Sequence, residues 1–387
     1  MAQCTQVRPD LDFVREMQAA GGENLKKCYQ CATCAVACPI SPANNPYPRK
    51  EMVWASWGLK DKLMNDVDLW LCHNCGNCAD LCPRGARPAD VMAAARNMVY
   101  KDLTTPSIIG TWMSSIKGLP FLVAIPAFIW FFVWAVRSGI KGSWFPRAAD
   151  GRIVFGEIFY GNTTIDPIFA LTFIGALVIL YLGTMKLLAR FKPEGSILML
   201  GNVKPWYLHL WDVIIEEIIT HKKFQDCGAD KSDRKLGHMA VFYSFAILFV
   251  VTAIVAVGHW GGYLIPAINL DTPMPLTFPV KILANIGALG LLFGLTLLTL
   301  RRLKQDPKYQ ASSFYDWYLL GVIWAVAVTG MCSQIFRLMD CVTWAFCAYY
   351  LHLVVVWMLF AYLPWSKLGH FVYRVAALTY VRMIGRR

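Results

Sequence analysis

Two cysteine rows of identical spacing constrain this chain more than any other feature. The first is Cys28-Tyr29-Gln30-Cys31-Ala32-Thr33-Cys34-Ala35-Val36-Ala37-Cys38-Pro39, and the second is Cys72-His73-Asn74-Cys75-Gly76-Asn77-Cys78-Ala79-Asp80-Leu81-Cys82-Pro83. Each reads C-x2-C-x2-C-x3-C-P. That spacing wraps three thiolates around one face of a [4Fe–4S] cube, while the fourth cysteine reaches the other cube. Cys28, Cys31, Cys34 and Cys82 are therefore expected to hold one cluster, and Cys72, Cys75, Cys78 and Cys38 the other. The exchange would also staple the two rows together. Structural zinc sites usually set two C-x2-C pairs well apart, so rows this dense argue against zinc. Two clusters side by side imply one-electron transfer.

The rest of the chain reads as membrane. Of 387 residues, 57% are hydrophobic and 16% charged. Six apolar runs reach the length needed to cross about 30 Å of hydrocarbon: 119–136, 166–189, 238–258, 279–300, 316–337 and 342–363. The 15 tryptophans and 16 tyrosines suit many membrane–water crossings. The first run carries Pro120 and Pro126, and the fourth has Gly290 and Gly294 four apart, a close-packing face. Before the runs the sequence reads as helices around Leu11–Ala20, through Met52 to Leu63, and over Pro88–Tyr100, with a linker at Thr104-Thr105-Pro106. The expected class is all-α: an α-helical ferredoxin domain over 1–104, then a six-helix transmembrane bundle over 105–387.

Charge sets the expected orientation. A formal charge of +12 would suit nucleic acid, but the basic residues gather beside the apolar runs. Loop 190–237 holds Arg190, Lys192, Lys204, Lys222, Lys223, Lys231, Arg234 and Lys235. Loop 301–315 and the tail from Pro364 are also basic, whereas loop 259–278 has no Lys or Arg. Loop 138–165 has three such residues, a blemish on the pattern. No signal peptide is visible in residues 1–27, and cluster cysteines belong in a reducing compartment. These features place the iron–sulfur domain and the C-terminus in the cytoplasm, on a multi-pass protein of the cell inner membrane. Within loop 190–237, Pro205–Lys222 reads as an amphipathic helix along the inner surface. Its oily side carries Trp206, Leu210, Trp211, Ile214, Ile215 and Ile218. His209, Asp212 and Glu216 share another face, a solvated or docking face in preference to a catalytic one.

Histidines at membrane depth are the second candidate site, because ionisable groups there are costly and commonly functional. His238 and His259 stand near the two ends of the third run. His352 lies within the sixth run, and His370 just follows it. The separations of 21 and 18 residues, roughly 32 and 27 Å along a helix, are too long for the two histidines of one helix to share a metal. They fit two cross-helix pairs, His238 with His370 and His259 with His352, each able to hold a b-type haem by bis-histidine ligation. Lys281, and Arg337 with Asp340, are candidates to line a quinone pocket, although each is more often a snorkelling charge. Cys227, Cys332, Cys341 and Cys347 read as single thiols in preference to a disulfide among the last three, which lie toward the outer side. His73 reads as a tuner of its cluster.

The stretch from Phe13 through Gly21-Gly22-Glu23-Asn24-Leu25-Lys26-Lys27 into the first cysteine row resembles the iron–sulfur C subunit of heterodisulfide reductase. The membrane part is similar to a group of haem b anchors, the heterodisulfide reductase E subunit and the respiratory nitrate reductase gamma subunit. That likeness is best at His352-Leu353-Val354 followed by Leu363-Pro364-Trp365-Ser366-Lys367-Leu368-Gly369-His370, whose two histidines would serve two different haems. It departs in the third run, where the gamma family has two histidines about ten residues apart. Fusion of both modules resembles the C subunit of the quinone-interacting membrane-bound oxidoreductases of sulfate-reducing bacteria. The resemblance implies a complex with two soluble flavin and iron–sulfur subunits similar to the A subunit of heterodisulfide reductase. It also implies menaquinone as membrane substrate and adenylylsulfate reductase as electron partner. An anchor of a heterodisulfide reductase-like complex, and a haem-free membrane-tethered iron–sulfur sensor or assembly factor, are the competing readings.

Overall fold

The computed structural model describes residues 8–41, 45–191, 204–222, 232–265, 270, 272–304, 306 and 311–385. Cys227 and several loop cations noted above, among them Lys192, Lys223 and Lys231, lie outside these residues. No strand occurs among the described residues.

Among the described residues seven α-helices precede the linker at Thr104-Thr105-Pro106: α1 (Leu11–Met17), α2 (Thr33–Val36), α3 (Arg49–Ser56), α4 (Lys60–Met64), α5 (Asp68–Leu71), α6 (Asn77–Asp80) and α7 (Pro88–Leu103). Asp10 starts α1 by accepting the Phe13 amide at 2.8 Å. The chain then widens into a π-turn over Gln18–Gly22, and Gly21 at φ 119° lets it reverse before the first row. Proline at the first position starts α7. At its end Thr104 Oγ1 donates back to the Tyr100 carbonyl at 2.6 Å. Met17, Leu25, Met52, Leu63, Leu69 and Trp70 are wholly enclosed around α7.

After the linker come α8 (Ser107–Met113), which the sequence did not signal, and α9 (Leu119–Lys141), α10 (Asp166–Arg190) and α11 (Trp206–Val213). Then follow α12 (Ser232–Gly261), α13 (Pro279–Lys304), α14 (Phe314–Leu338), α15 (Val342–Ala361) and α16 (His370–Met383). Among the described residues six helical stretches are long and apolar enough to cross a membrane: Ile116–Lys141, Gly161–Arg190, Lys235–Gly261, Pro279–Lys304, Phe314–Leu338 and Val342–Ala361. The chain is a multi-pass membrane protein. The sixth stretch stops at Ala361, two residues short of the expected run, because Leu363–Trp365 forms a 3-10 turn around Pro364.

Local chemistry explains how the spans fit. Pro126 sits inside α9 without an N–H, which frees the carbonyl four residues earlier. That carbonyl, Leu122 O, accepts the buried Tyr362 hydroxyl at 3.0 Å. α13 lies against α12 along a glycine face. A Cβ on Gly290 would come within 2.6 Å of Ser244 Oγ, and one on Gly294 within 2.8 Å of the Val241 amide nitrogen. Ser313 and Asp316 form a reciprocal cap at the start of α14. Asp316 also pairs with Lys367 and, at 3.4 Å, with Arg302.

The C-terminal helix returns to the cluster domain. Tyr373 and Ala377 of α16 and Leu187 of α10 are fully buried in the same core as Trp70 and Tyr100. Trp70 packs edge-on against Tyr373 at 5.5 Å. α11 continues as a π-turn to Ile219 and packs on α16. It exposes Trp206, Tyr207 and Trp211 and buries His209 and Val213. The residues sharing His209's face make structural contacts: Glu216 pairs with Arg382 at 2.5 Å and Asp212 with Lys204 at 3.9 Å.

Candidate redox centres

The two cysteine rows wind alike. Gln30 and Ala32 in the first row, and Asn74 and Gly76 at the equivalent positions of the second, all take positive φ, at 66°, 70°, 50° and 89°. Only glycine adopts this region freely, so three side-chain-bearing residues there store strain of about 1–3 kcal/mol each. The winding turns backbone amides inward: the Asn74 amide stands 3.3 Å from Cys72 Sγ and the Ala86 amide 3.3 Å from Cys82 Sγ. Gln30 Nε2 adds a side-chain donor 3.3 Å from Cys28 Sγ.

The sulfurs fall into two groups that exchange their last members. Cys28, Cys31, Cys34 and Cys82 line one small pocket together with Arg49 and Arg84. Burial, then the charges of Cys28, Cys31 and Cys82, push the Cys34 thiol up to about 11. Burial also pushes Cys38 up to about 12, with the charges of Cys72 and Cys75, then of Cys34, adding to it. Burial followed by Cys72, Cys75 and Cys38 holds Cys78 well above the ordinary thiol range. Thiols gathered this closely resist ionising together, and a polynuclear iron cation supplies the compensating charge. The donor sets thus fit two clusters. Cys72 goes the other way. Burial opposes its ionisation, but the Arg96 guanidinium, with hydrogen bonds from Tyr47, Arg96 and the Asn74 amide, brings it below its ordinary value.

A third group of acids lies near the second row. Glu51, Asp66 and Asp68 surround the Lys50 ammonium at 3.3, 3.2 and 2.9 Å. Lysine takes the place a metal ion would need there. Burial, then a hydrogen bond with Asp66, holds the Glu51 carboxyl well above its usual range.

Between the cluster domain and helices α12 to α16 lies a cavity of about 1960 Å³, well beyond the roughly 300–1,000 Å³ of an ordinary ligand pocket. His73, His221, His238, His352 and His370 all line it. His352 is held by Thr329, whose Oγ1 lies 3.1 Å from Nδ1 and donates its own hydrogen to the Ala325 carbonyl at 2.6 Å. Nδ1 must then donate, leaving the Nε2 lone pair free. Gly330 makes room, since a Cβ there would lie 3.0 Å from His352 Cε1. His370 stacks on Trp70 at 5.9 Å. Burial, then the charges of Arg96, Arg374 and Lys367, hold its pKa well below the ordinary value, so the ring is neutral, as a metal ligand requires. The volume and these neutral imidazoles fit haem.

Two features of the structure bear on the expected pairing. His259 does not line the cavity: its Nε2 is bonded to the Asn162 side chain, and its ring packs against Trp260 and Tyr263. Level along the helices would set it beside His352; His259 continues the stripe of α12 that carries Phe245, Thr252 and Ala256 along the cavity, but lies past the cavity's end. His221 is a cavity residue that the sequence did not reveal. It follows α11, outside every apolar run, and its ring lies 5.2 Å from that of His238. Its one sequence signal is its place at the end of the amphipathic helix. Among the quinone candidates, Lys281 lines the cavity with Asn285 and Gln334, which bond each other at 3.0 Å. Arg337 and Asp340 do not line it, and Asp340 is paired with Arg147 at 2.7 Å. Cys332, Cys341 and Cys347 are free thiols.

Residues 24–86 match the 4Fe-4S dicluster domain family, and residues 203–387 match the family described as Citrate utilization protein B. Over 93 residues the chain is 40% identical to the C subunit of the H(2):CoB-CoM heterodisulfide,ferredoxin reductase of Methanothermobacter marburgensis, covering 24% of this chain and 50% of that protein. A protein of Archaeoglobus profundus, itself described as like the C subunit of heterodisulfide reductase, is 34% identical over 98 residues, 25% of this chain and 50% of that protein. The N-terminal region resembles the iron–sulfur domain of the heterodisulfide reductase C subunit. This chain spans about half the length of these relatives. Citrate utilization protein B of Escherichia coli is 24% identical over 400 residues, 98% of this chain and 95% of that protein. No solved structure matches.

Proposed function

We propose that the chain is a membrane electron-transfer subunit, exchanging electrons between menaquinone in the bilayer and soluble flavin and iron–sulfur subunits. One observation carries this reading: His352, His370 and His73, the last inside the second cysteine row, line one and the same cavity. Bound to these residues, b-type haems and two [4Fe–4S] clusters would supply one-electron carriers from the bilayer to the aqueous face.

The chain's own residues position and tune. Thr329 engages His352 Nδ1, which leaves Nε2 free to act as a ligand. His221 and His238, with adjacent rings, are the candidate partners for His370 at the cluster end. Lys281, Asn285 and Gln334, toward the opposite end of α13, would orient a quinone head group and exchange its protons. Arg96 favours the Cys72 thiolate. The winding of the rows aims amides at sulfur.

The finer reading follows the quinone-interacting oxidoreductase resemblance: two partner proteins similar to the A subunit of heterodisulfide reductase, with adenylylsulfate reductase receiving or supplying electrons in sulfate respiration. In this reading the cluster domain faces the cytoplasm across the cell inner membrane. A second reading is favoured by the likeness to Citrate utilization protein B along nearly the full length. In that reading the same conduit would serve citrate utilization, with a different soluble partner. A reduced-minus-oxidised visible spectrum of the purified chain tests what both share. A b-type band that develops on adding menaquinol supports the proposal, and a chain with clusters but no such band refutes it.

A further inference from the structure

The two cysteine groups face opposite surroundings. Tyr29 and His73 hold the same position in their rows. His73 lines the interior cavity and takes a hydrogen bond from Arg374 of α16. Tyr29 instead is 58% exposed, with the Arg84 guanidinium 5.9 Å from its ring centroid. Within the same group Cys31 is exposed, and Leu81, next to Cys82, is 59% exposed. Val36, at the end of α2, is 88% exposed. Arg49 and Arg84 are both exposed in the wall of the pocket the four sulfurs share, and the exposed Lys27 adjoins Cys28. Exposed apolar side chains flanked by Lys27, Arg49 and Arg84, beside a group with one sulfur at the surface, have the make-up of a transient electron-transfer interface.

We propose that this face, built on Tyr29, Leu81, Arg49 and Arg84, docks a soluble redox protein whose own contact surface is acidic. The inference rests on the reading that Cys28, Cys31, Cys34 and Cys82 hold a cluster, and it adds the partner's chemistry and its place of contact. The occupant follows from charge: the rim offers guanidinium groups, which pair with carboxylates in bidentate geometry. Single electrons are exchanged. The partner's redox centre gains what the Cys28-side centre loses, and no bond is made or broken.

The test uses the full chain, purified with its clusters in detergent, and an acidic [2Fe–2S] ferredoxin as probe. Stopped-flow electron transfer from reduced ferredoxin should slow about tenfold between roughly 20 and 200 mM salt, as screening removes the steering field. The Arg49→Glu/Arg84→Glu double variant should be slower by about tenfold at low salt. Arg49→Gln/Arg84→Gln, which burdens folding less, should be slower by about threefold. A neutral zwitterionic viologen should reduce every variant at the wild-type rate. Unchanged ferredoxin rates in both variants, with the electron paramagnetic signals of both clusters intact, would overturn the docking face alone. Charge reversal that instead releases the protein from phosphatidylglycerol vesicles, or splits a dimer, without slowing ferredoxin would overturn it in favour of lipid or a second copy. Absence of any iron–sulfur signal in the wild type would sink the underlying reading as well.

Discussion

Arg374 donates to His73: its Nη2 lies 3.0 Å from His73 Nδ1, while Nη1 donates to the Cys72 carbonyl at 2.9 Å. A guanidinium has no acceptor to offer, so Nδ1 accepts, and a neutral His73 carries its proton on Nε2. Arg374 stands one helical turn after His370 on α16. One helix therefore carries a candidate haem ligand and a cation seated on the second cysteine row. Arg374→Ala should lower the potential of the Cys72-side cluster by on the order of 60 mV, a tenfold change for one electron. The Cys28-side cluster should stay put. Arg374→Lys, which keeps the charge and loses the fork, should fall between. A potentiometric titration followed by electron paramagnetic resonance reads both clusters in one sample. Equal shifts in the two would show that Arg374 acts on the fold and not on its neighbour.

The histidines separate by their surroundings. His352→Ala and His370→Ala should each lose one b-type haem, read from the reduced-minus-oxidised band, while both clusters survive. His259→Ala should keep full haem content, because its ring is engaged with Asn162 away from the cavity. Loss of haem from the His259 variant would restore the pairing that level along the helices suggests.

Ligand exchange between the rows makes a sharper statement. Cys38 is grouped with Cys72 and Cys75 although it belongs to the first row. Cys38→Ser should therefore damage the cluster whose other ligands begin at Cys72. Damage confined to the Cys28-side signal would reverse the assignment.

The sequence made the helices and the cysteine grouping legible because both are governed by short-range rules. Spans need about 20 apolar residues, and C-x2-C-x2-C-x3-C-P fixes where three sulfurs go. What it left unreadable was where the cavity ends. His259 and His238 share one stripe of α12, with Phe245, Thr252 and Ala256 between them, yet only His238 lines the cavity. The Asn162 side chain that engages His259 comes from another part of the chain, which no period in α12 records. His221 was hidden for a different reason: it reaches the cavity from a loop, by tertiary packing that no local pattern records. The aromatic bridge from His370 through Trp70 to Tyr100 likewise joins residues about 300 positions apart. Such a contact is set by how α16 folds back, not by any period in the chain.

Pro126 and Tyr362 form a dependent pair. The proline leaves the Leu122 carbonyl without its helical donor, and the Tyr362 hydroxyl supplies one at 3.0 Å in a buried setting. Tyr362→Phe keeps the ring and strands the carbonyl, which should cost about 1–3 kcal/mol. In Pro126→Ala, whose helix regains the amide, the same tyrosine change should cost less. A double-mutant cycle on thermal stability in detergent measures the coupling, and additive effects would show that the hydroxyl is not the proline's compensation.

Asp90 gives a pH dependence of definite sign. Burial pushes its carboxyl up to about 6 from an ordinary 3.8, against the Ala311 amide at 3.0 Å and the Arg87 guanidinium at 3.3 Å, which favour the charged form. The folded state therefore holds this proton more tightly than the unfolded chain does. Its contribution to stability is complete below about pH 4, declines as pH rises toward 6, and is gone above that. Asp90→Asn is neutral throughout and still accepts the Ala311 amide. The melting temperature of the variant relative to wild type should be lowest below pH 4, climb between pH 4 and 6, and level off above. A difference that falls with rising pH would mean that Arg87 outweighs burial and that the carboxylate, not the acid, is the form the fold prefers.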